Sequence, residues 1–199
     1  MPKAGKVKKG YAISIENVAP FLWYRVGISD KSELGVRVGL PIYGSGVDYS
    51  RVLYKKKNKW DMLNLAWSLN PNYNLDATYY KFKTKKIDAD FLKSRWLGFR
   101  MMSIQKGITG GTSNRFGFLY GIQSSPRWGM EFGYFHDSSS IPITDIFSSN
   151  WDPFSRENHD RYSKKPIRDE SSGLPSEFSR MTGLSFSLFF DLDAPKKKK

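Results

Sequence analysis

Hydrophobic and polar positions alternate along most of this chain, most sharply between Arg115 and Asp137. Phe116, Phe118, Tyr120 and Ile122 share one parity, and Gly117, Leu119, Gly121 and Gln123 take the other. After the polar turn Ser124 to Arg127, Trp128, Met130, Phe132 and Tyr134 alternate with Gly129, Glu131 and Gly133. A strand turns successive side chains to opposite faces. The stretch therefore predicts a β-hairpin with one bulky apolar face and one small or polar face.

The same period recurs before and after it. Tyr11, Ile13 and Ile15 oppose Ala12, Ser14 and Glu16, and Leu22, Tyr24, Val26 and Ile28 oppose Trp23, Arg25 and Gly27. Leu34, Val36, Val38 and Leu40 follow, then Leu63, Leu65, Trp67 and Leu69, then Leu75, Ala77 and Tyr79, then Leu97, Phe99 and Met101. Val47 to Lys55 is less regular, because Arg51 falls on the apolar parity, and this predicts a bulge or a strand end. Lys83 to Ser94 is polar and reads as a connection with room for a short helical turn. Leu184, Phe186, Leu188 and Phe190 mark the last strand. The pattern predicts an all-β fold: a closed antiparallel up-and-down transmembrane β-barrel of about ten strands, with eight as the alternative. Residues 1–9 read as a flexible basic lead, 10–193 as the barrel and 194–199 as a basic tail. Within the barrel, Ser138 to Ser179 is long, polar and proline-bearing, and reads as an external loop.

Period two alone does not say which face is inside. Ten bulky, often aromatic faces would overfill a small barrel if turned inward. The opposite face sets glycine or serine beside isolated charges, as in Gly35-Val36-Arg37-Val38-Gly39 and Gly129-Met130-Glu131-Phe132-Gly133. That composition suits a narrow polar lumen plugged by side chains. Glu16, Arg25, Arg37, Asp48, Asp76, Arg100 and Glu131 are the expected lumen network. Phe116, Phe118, Tyr120, Trp128, Met130, Phe132, Tyr134, Leu184, Phe186, Leu188 and Phe190 are the expected lipid-facing set. Tyr11, Trp67, Trp128 and Tyr134 suit interfacial girdles. Strands of roughly 9–11 tilted residues span a bilayer. On this reading Phe132→Arg impairs assembly far more than Gly133→Ser.

Composition adjusts the picture at three points. The 199 residues fit one domain, with 16% aromatic content and no cysteine, which excludes disulfides and thiolate-ligated metals. The net charge of +13 comes from 32 Lys and Arg against 19 Asp and Glu. The lysines cluster at ends and turns, and no recognition helix, zinc-finger spacing or RNA-binding aromatic signature accompanies them. Nucleic acid is therefore not expected as a partner. The expected partner is a lipid bilayer, with anionic lipid or cell-wall polymer meeting the lysine-rich turns, and the chain is expected to be a monomer. No apolar run approaches the roughly 20 residues of a membrane helix. Met1 to Lys9 is basic without a following apolar signal region.

On these alternating strands, and on the aromatic-rich last strand LSFSLFFDLD, the chain resembles small bacterial outer-membrane proteins of the β-barrel-domain family across about Gly10 to Asp193. The stretch from Gly5 to Pro41 is similar to the start of barrels that follow a removed signal or lipid anchor. The resemblance implies the bacterial outer membrane, with an export signal that is not in this sequence. It also implies short turns at Ser29–Ser32, Lys55–Lys59, Lys83–Ser94 and Ser124–Arg127 on the periplasmic side. The other connections, including Ser138–Ser179, would lie outside.

Candidate chemistry is thin. His136 and Asp137 lie where the hairpin ends, and His159 lies in the long loop, so a rim His/Asp or Ser/His site is the enzymatic alternative. Two histidines without tight spacing do not make a metal site, and no cofactor is expected. Gly107 to Gly111 lacks the lysine and spacing of a phosphate loop. The leading expectation is a non-enzymatic barrel that anchors an exposed loop for surface or partner interaction. A soluble barrel binding a small apolar ligand is the third reading.

Overall fold

The computed structural model describes residues 3–14, 20–39, 45–68, 74–88, 91–104, 113–137 and 183–193. Ten strands run in chain order: β1 (Val7–Ser14), β2 (Phe21–Ser29), β3 (Ser32–Gly39), β4 (Gly46–Lys56), β5 (Lys59–Ser68), β6 (Asn74–Asp88), β7 (Phe91–Ile104), β8 (Ser113–Gln123), β9 (Trp128–Asp137) and β10 (Gly183–Asp191). Each pairs antiparallel with its sequence neighbour, and β1 pairs with β10, so the sheet closes into an up-and-down barrel. Closure gives every strand a partner on both sides, so edges remain only where a strand outruns its neighbours.

Two elements depart from the sequence reading. β1 begins at Val7, and the preceding residues are tied down. Gly5 N–H donates to Gly27 C=O at 2.9 Å, and Gly27 N–H donates to Lys6 C=O at 3.0 Å. The basic lead is thus partly strand. The expected helical turn between Lys83 and Ser94 is instead ribbon, with Lys83 opposite Arg95, Lys85 opposite Lys93 and Asp88 opposite Phe91. This ribbon outruns its neighbours, since β5 reaches only Lys83 and β8 only Ser94. A ribbon projecting past the wall has no buried face, so its sequence loses the apolar parity that marks the other strands. The irregularity expected in β4 is a register shift between Val52 and Tyr54.

Burial alternates with the pleat and separates two surfaces. The exterior carries a band of large exposed apolar side chains around the barrel, among them Leu22, Tyr24, Val36, Val38, Leu65, Trp67, Leu97, Phe99, Met101, Phe118 and Phe132. The interior buries the polar residues Ser14, Glu33, Asp48, Ser50, Ser68, Thr78 and Arg115 together with the apolar Ala12, Met62, Trp96, Met102, Leu119 and Phe135, while buried His136 shares the exterior parity of Phe116. A small apolar cluster of Met102, Leu119 and Phe135, with Tyr80 against it, is the one hydrophobic core among the described residues.

Candidate functional site

The lumen has two unlike walls. On β2 to β5 it is charged. The Arg25 guanidinium donates to the Glu33 carboxylate and meets Asp48 Oδ2 at 3.1 Å. Asn64 Nδ2 bridges Asp48 Oδ2 at 2.8 Å and Ser50 Oγ at 2.9 Å. Glu33 and Asp48 are buried; Arg25 pairs with both and Asn64 donates to Asp48, while Glu33 Oε2 has no hydrogen-bond partner among the described residues. Arg37 Nη2 donates to Ser68 Oγ at 2.8 Å, while its Nε is buried without a hydrogen-bond partner among the described residues.

On β6 to β10 the wall is aromatic. Trp60 of β5, at its edge, stacks on Phe82 at 3.9 Å and 4°. Phe82 lies 5.6 Å from Trp96, and Trp96 lies 5.7 Å from Phe189. Large rings fit here because glycine stands across the strand from several of them. Trp96 pairs with Gly121, Phe189 with Gly129 and Phe135 with Gly117. A Cβ at Gly121 would fall inside the Trp96 ring. The ring therefore lies flat against the wall instead of crossing the lumen, and its Nε1 donates to Glu131 Oε2 at 2.6 Å.

Arg100 of β7 sets a charge within the aromatic wall. Its Nε donates to Thr78 Oγ1 at 2.9 Å and its Nη2 to Tyr80 Oη at 3.0 Å. Nη2 also lies 3.7 Å from Glu131 Oε1, and the guanidinium carbon stands 5.7 Å from the Phe135 ring centre.

These contacts do not fill the lumen. A cavity of about 1210 Å³ occupies the turn-bearing end, reaching from Arg37, Asp76 and Arg100 out to Lys31, Lys55 and Lys57. The expected side-chain plug is thus incomplete. Rings such as Trp96 and Phe189 lie against glycines along the wall, and Met102 of β7, Leu119 of β8 and Phe135 of β9 pack together.

Of the residues singled out from sequence, the structure brings Arg25 to Asp48 and Arg100 to Glu131, and it lines the cavity with Arg37 and Asp76. Glu16 and His159 lie outside the described residues, as does the loop 138–179. Phe118, Tyr120, Trp128 and Phe132 are exposed on the exterior, with Phe116, Met130, Tyr134, Phe186, Leu188 and Phe190 half-buried on the same surface. Leu184 takes the same parity, opposite Tyr134. His136 is fully buried near the end of β9, opposite Phe116, with the two rings 5.3 Å apart. Asp137 closes β9 opposite Arg115. No group of three His, Cys, Asp or Glu among the described residues is placed to hold a metal. Gly133 is also a poorer site for a mild change than its sequence suggests, because an added Cβ would meet Leu119 and Ser185.

Sequence reasoning missed Glu33 and the interior rings Trp60, Tyr80, Phe82, Trp96 and Phe189. A signal for several of them was present: a large aromatic on the polar parity, with glycine on the polar parity of the next strand. No family model, curated protein or solved structure matches the chain.

Proposed function

We propose that this protein is an integral membrane β-barrel of outer-membrane type. It anchors the segment between β9 and β10 at one membrane face for surface or partner contact, and it performs no catalytic step. One observation carries the reading: the barrel is inside out relative to a soluble protein. Leu97 is 62% exposed and Phe118 65% exposed within a band that also takes in Leu22, Val38, Leu65 and Met101, while Glu33 and Asp48 are buried. An apolar surface that encircles the molecule far exceeds the patches soluble monomers leave in water. Hydrocarbon is the environment it suits, and strands of eight to fifteen residues match the thickness to be crossed. A soluble ligand-binding barrel calls for the opposite arrangement, with apolar side chains inside and polar ones outside.

The lysine-rich turns and the β6–β7 ribbon lie at one end of this band and suit anionic head groups. The test is membrane fractionation with gel mobility of boiled and unboiled samples. The expected outcome is a chain retained in membranes after an alkaline wash, with a heat-dependent shift in mobility. A chain soluble without detergent, running at one position, defeats the proposal. Phe118→Arg sharpens the test, because a cation at mid-strand on the lipid face costs about 2–4 kcal/mol. Its yield of heat-modifiable barrel should fall well below that of Ala66→Ser, a polar change on the lumen face.

A further inference from the structure

We propose that the cavity at the turn-bearing end is a binding site for a small anion carrying a flat apolar ring: a sulfonated, carboxylated or phosphorylated aromatic. The wall supplies a surface for the ring. Trp60, Phe82 and Trp96 are direct cross-strand neighbours in one row across β5, β6 and β7. Trp60 and Phe82 are only half-buried, and all three line the cavity of about 1210 Å³. Apolar ring surface that faces water inside a concavity is surface a flat occupant covers, and offset or tilted ring contacts add to that gain. Small ligands bind in concavities that set apolar surface beside placed polar groups, and this lining mixes rings with charged side chains.

The mouth supplies the charge preference. Lys55 stands in the same cross-strand row, opposite Trp60. Lys3, Lys8, Lys31 and Lys57 join it around the opening; Asp30 lies there too, and Lys8 is paired with Asp191 at 3.4 Å, so the cations outnumber the acids among the described residues. A cleft with one sign of charge at its rim and low-dielectric walls concentrates counter-ions. Lys57 is the first residue of the two-residue turn between Lys56 and Lys59, and its φ of 46° is the left-handed conformation such hairpin turns use, one that glycine adopts more easily than lysine.

The inference does not depend on what the exterior meets, since the cavity lies inside the barrel in either case. The experiment is calorimetric titration of the full chain in detergent micelles, with empty micelles as reference. The probes are 2-naphthalenesulfonate and its uncharged counterpart 2-naphthalenemethanol. The sulfonate should bind saturably, about tenfold tighter than the alcohol, and more weakly as salt rises. Lys57→Gly removes a mouth cation while relieving the backbone, so lost folding does not explain its effect. Combined with Lys55→Gln it should weaken the sulfonate about fivefold. Trp60→Leu should weaken both probes about tenfold. The proposal is overturned if the sulfonate shows no saturable binding beyond empty micelles, if the two probes bind equally, or if either variant binds as the parent does.

Discussion

The charged wall on β2 to β5 and the aromatic wall on β6 to β10 line the same lumen on the same pleat, yet they solve burial differently. On the charged wall, a long side chain is matched by an opposite charge reached across strands, as Arg25 reaches Glu33 on β3 and Asp48 on β4. On the aromatic wall, a large ring is matched by the absence of a side chain opposite it, as Trp96 lies against Gly121. The first kind of match is electrostatic and fails through an orphaned charge. The second is steric and fails through overlap. Isolated acids, arginines and glycines on one face of a strand are therefore not filler between the apolar residues; each is half of a cross-strand pair.

The largest expected effect belongs to the charged wall. Asp48→Ala removes one of the two carboxylates on Arg25 and a hydrogen-bond acceptor from Asn64. Breaking a buried pair costs about 3–5 kcal/mol. Arg25 is 31% exposed, so water softens the loss, and about 3 kcal/mol is expected in urea unfolding from detergent or bilayer. A loss below about 1 kcal/mol would mean that the wall is solvated rather than paired. Gly121→Ala tests the other wall and comes next. Its methyl overlaps the Trp96 ring, so the ring must swing off the wall and give up the bond to Glu131. Overpacking of this kind costs about 1–3 kcal/mol. The same variant should change near-ultraviolet dichroism, because Trp96 neighbours both Phe82 and Phe189. If Gly121→Ala is neutral and the dichroism is unchanged, the glycine notch has no structural role.

The two walls also differ in how far they were legible from sequence. The exterior was readable because one rule holds along most of the barrel wall: large apolar residues recur at period two, as in Phe116, Phe118 and Tyr120. The strand count and the closed sheet follow from it. The lumen charges, which occur on both walls, were half readable. Arg25, Asp48, Arg100 and Glu131 stood out as isolated charges, but their pairing depends on strand register and stagger, which no single strand encodes. Glu33 shows the gap: it lies two positions before Gly35 on the polar parity, yet only the register with β2 brings it to Arg25. The aromatic wall was the least readable, because Trp96 and Phe189 stand on the parity taken for small and polar residues. The β6–β7 ribbon escaped for the opposite reason. Beyond the barrel wall neither of its faces is buried, so Lys83 to Ser94 carries no alternation to detect.

The smallest effect expected lies at the seam between the walls, and it asks whether they act as one structure. Tyr80 takes part in both. Its hydroxyl accepts from Arg100, and its ring stands 5.7 Å from Phe82 and across from Gly98. Tyr80→Phe keeps the ring and removes only the hydroxyl, so the aromatic wall loses nothing. Arg100 keeps Thr78 and its approach to Glu131. A single hydrogen bond of this sort is worth about 0.5–1.5 kcal/mol net, and about 1 kcal/mol is expected here. Measured in a double-mutant cycle, Tyr80→Phe should be additive with Gly121→Ala to within about 0.5 kcal/mol, because the hydroxyl and the notch share no partner in contact. A larger coupling would show that Arg100 and Glu131 transmit the displacement of Trp96 back to Tyr80. The charged and aromatic walls would then be one network with two compositions, not two independent solutions to burial.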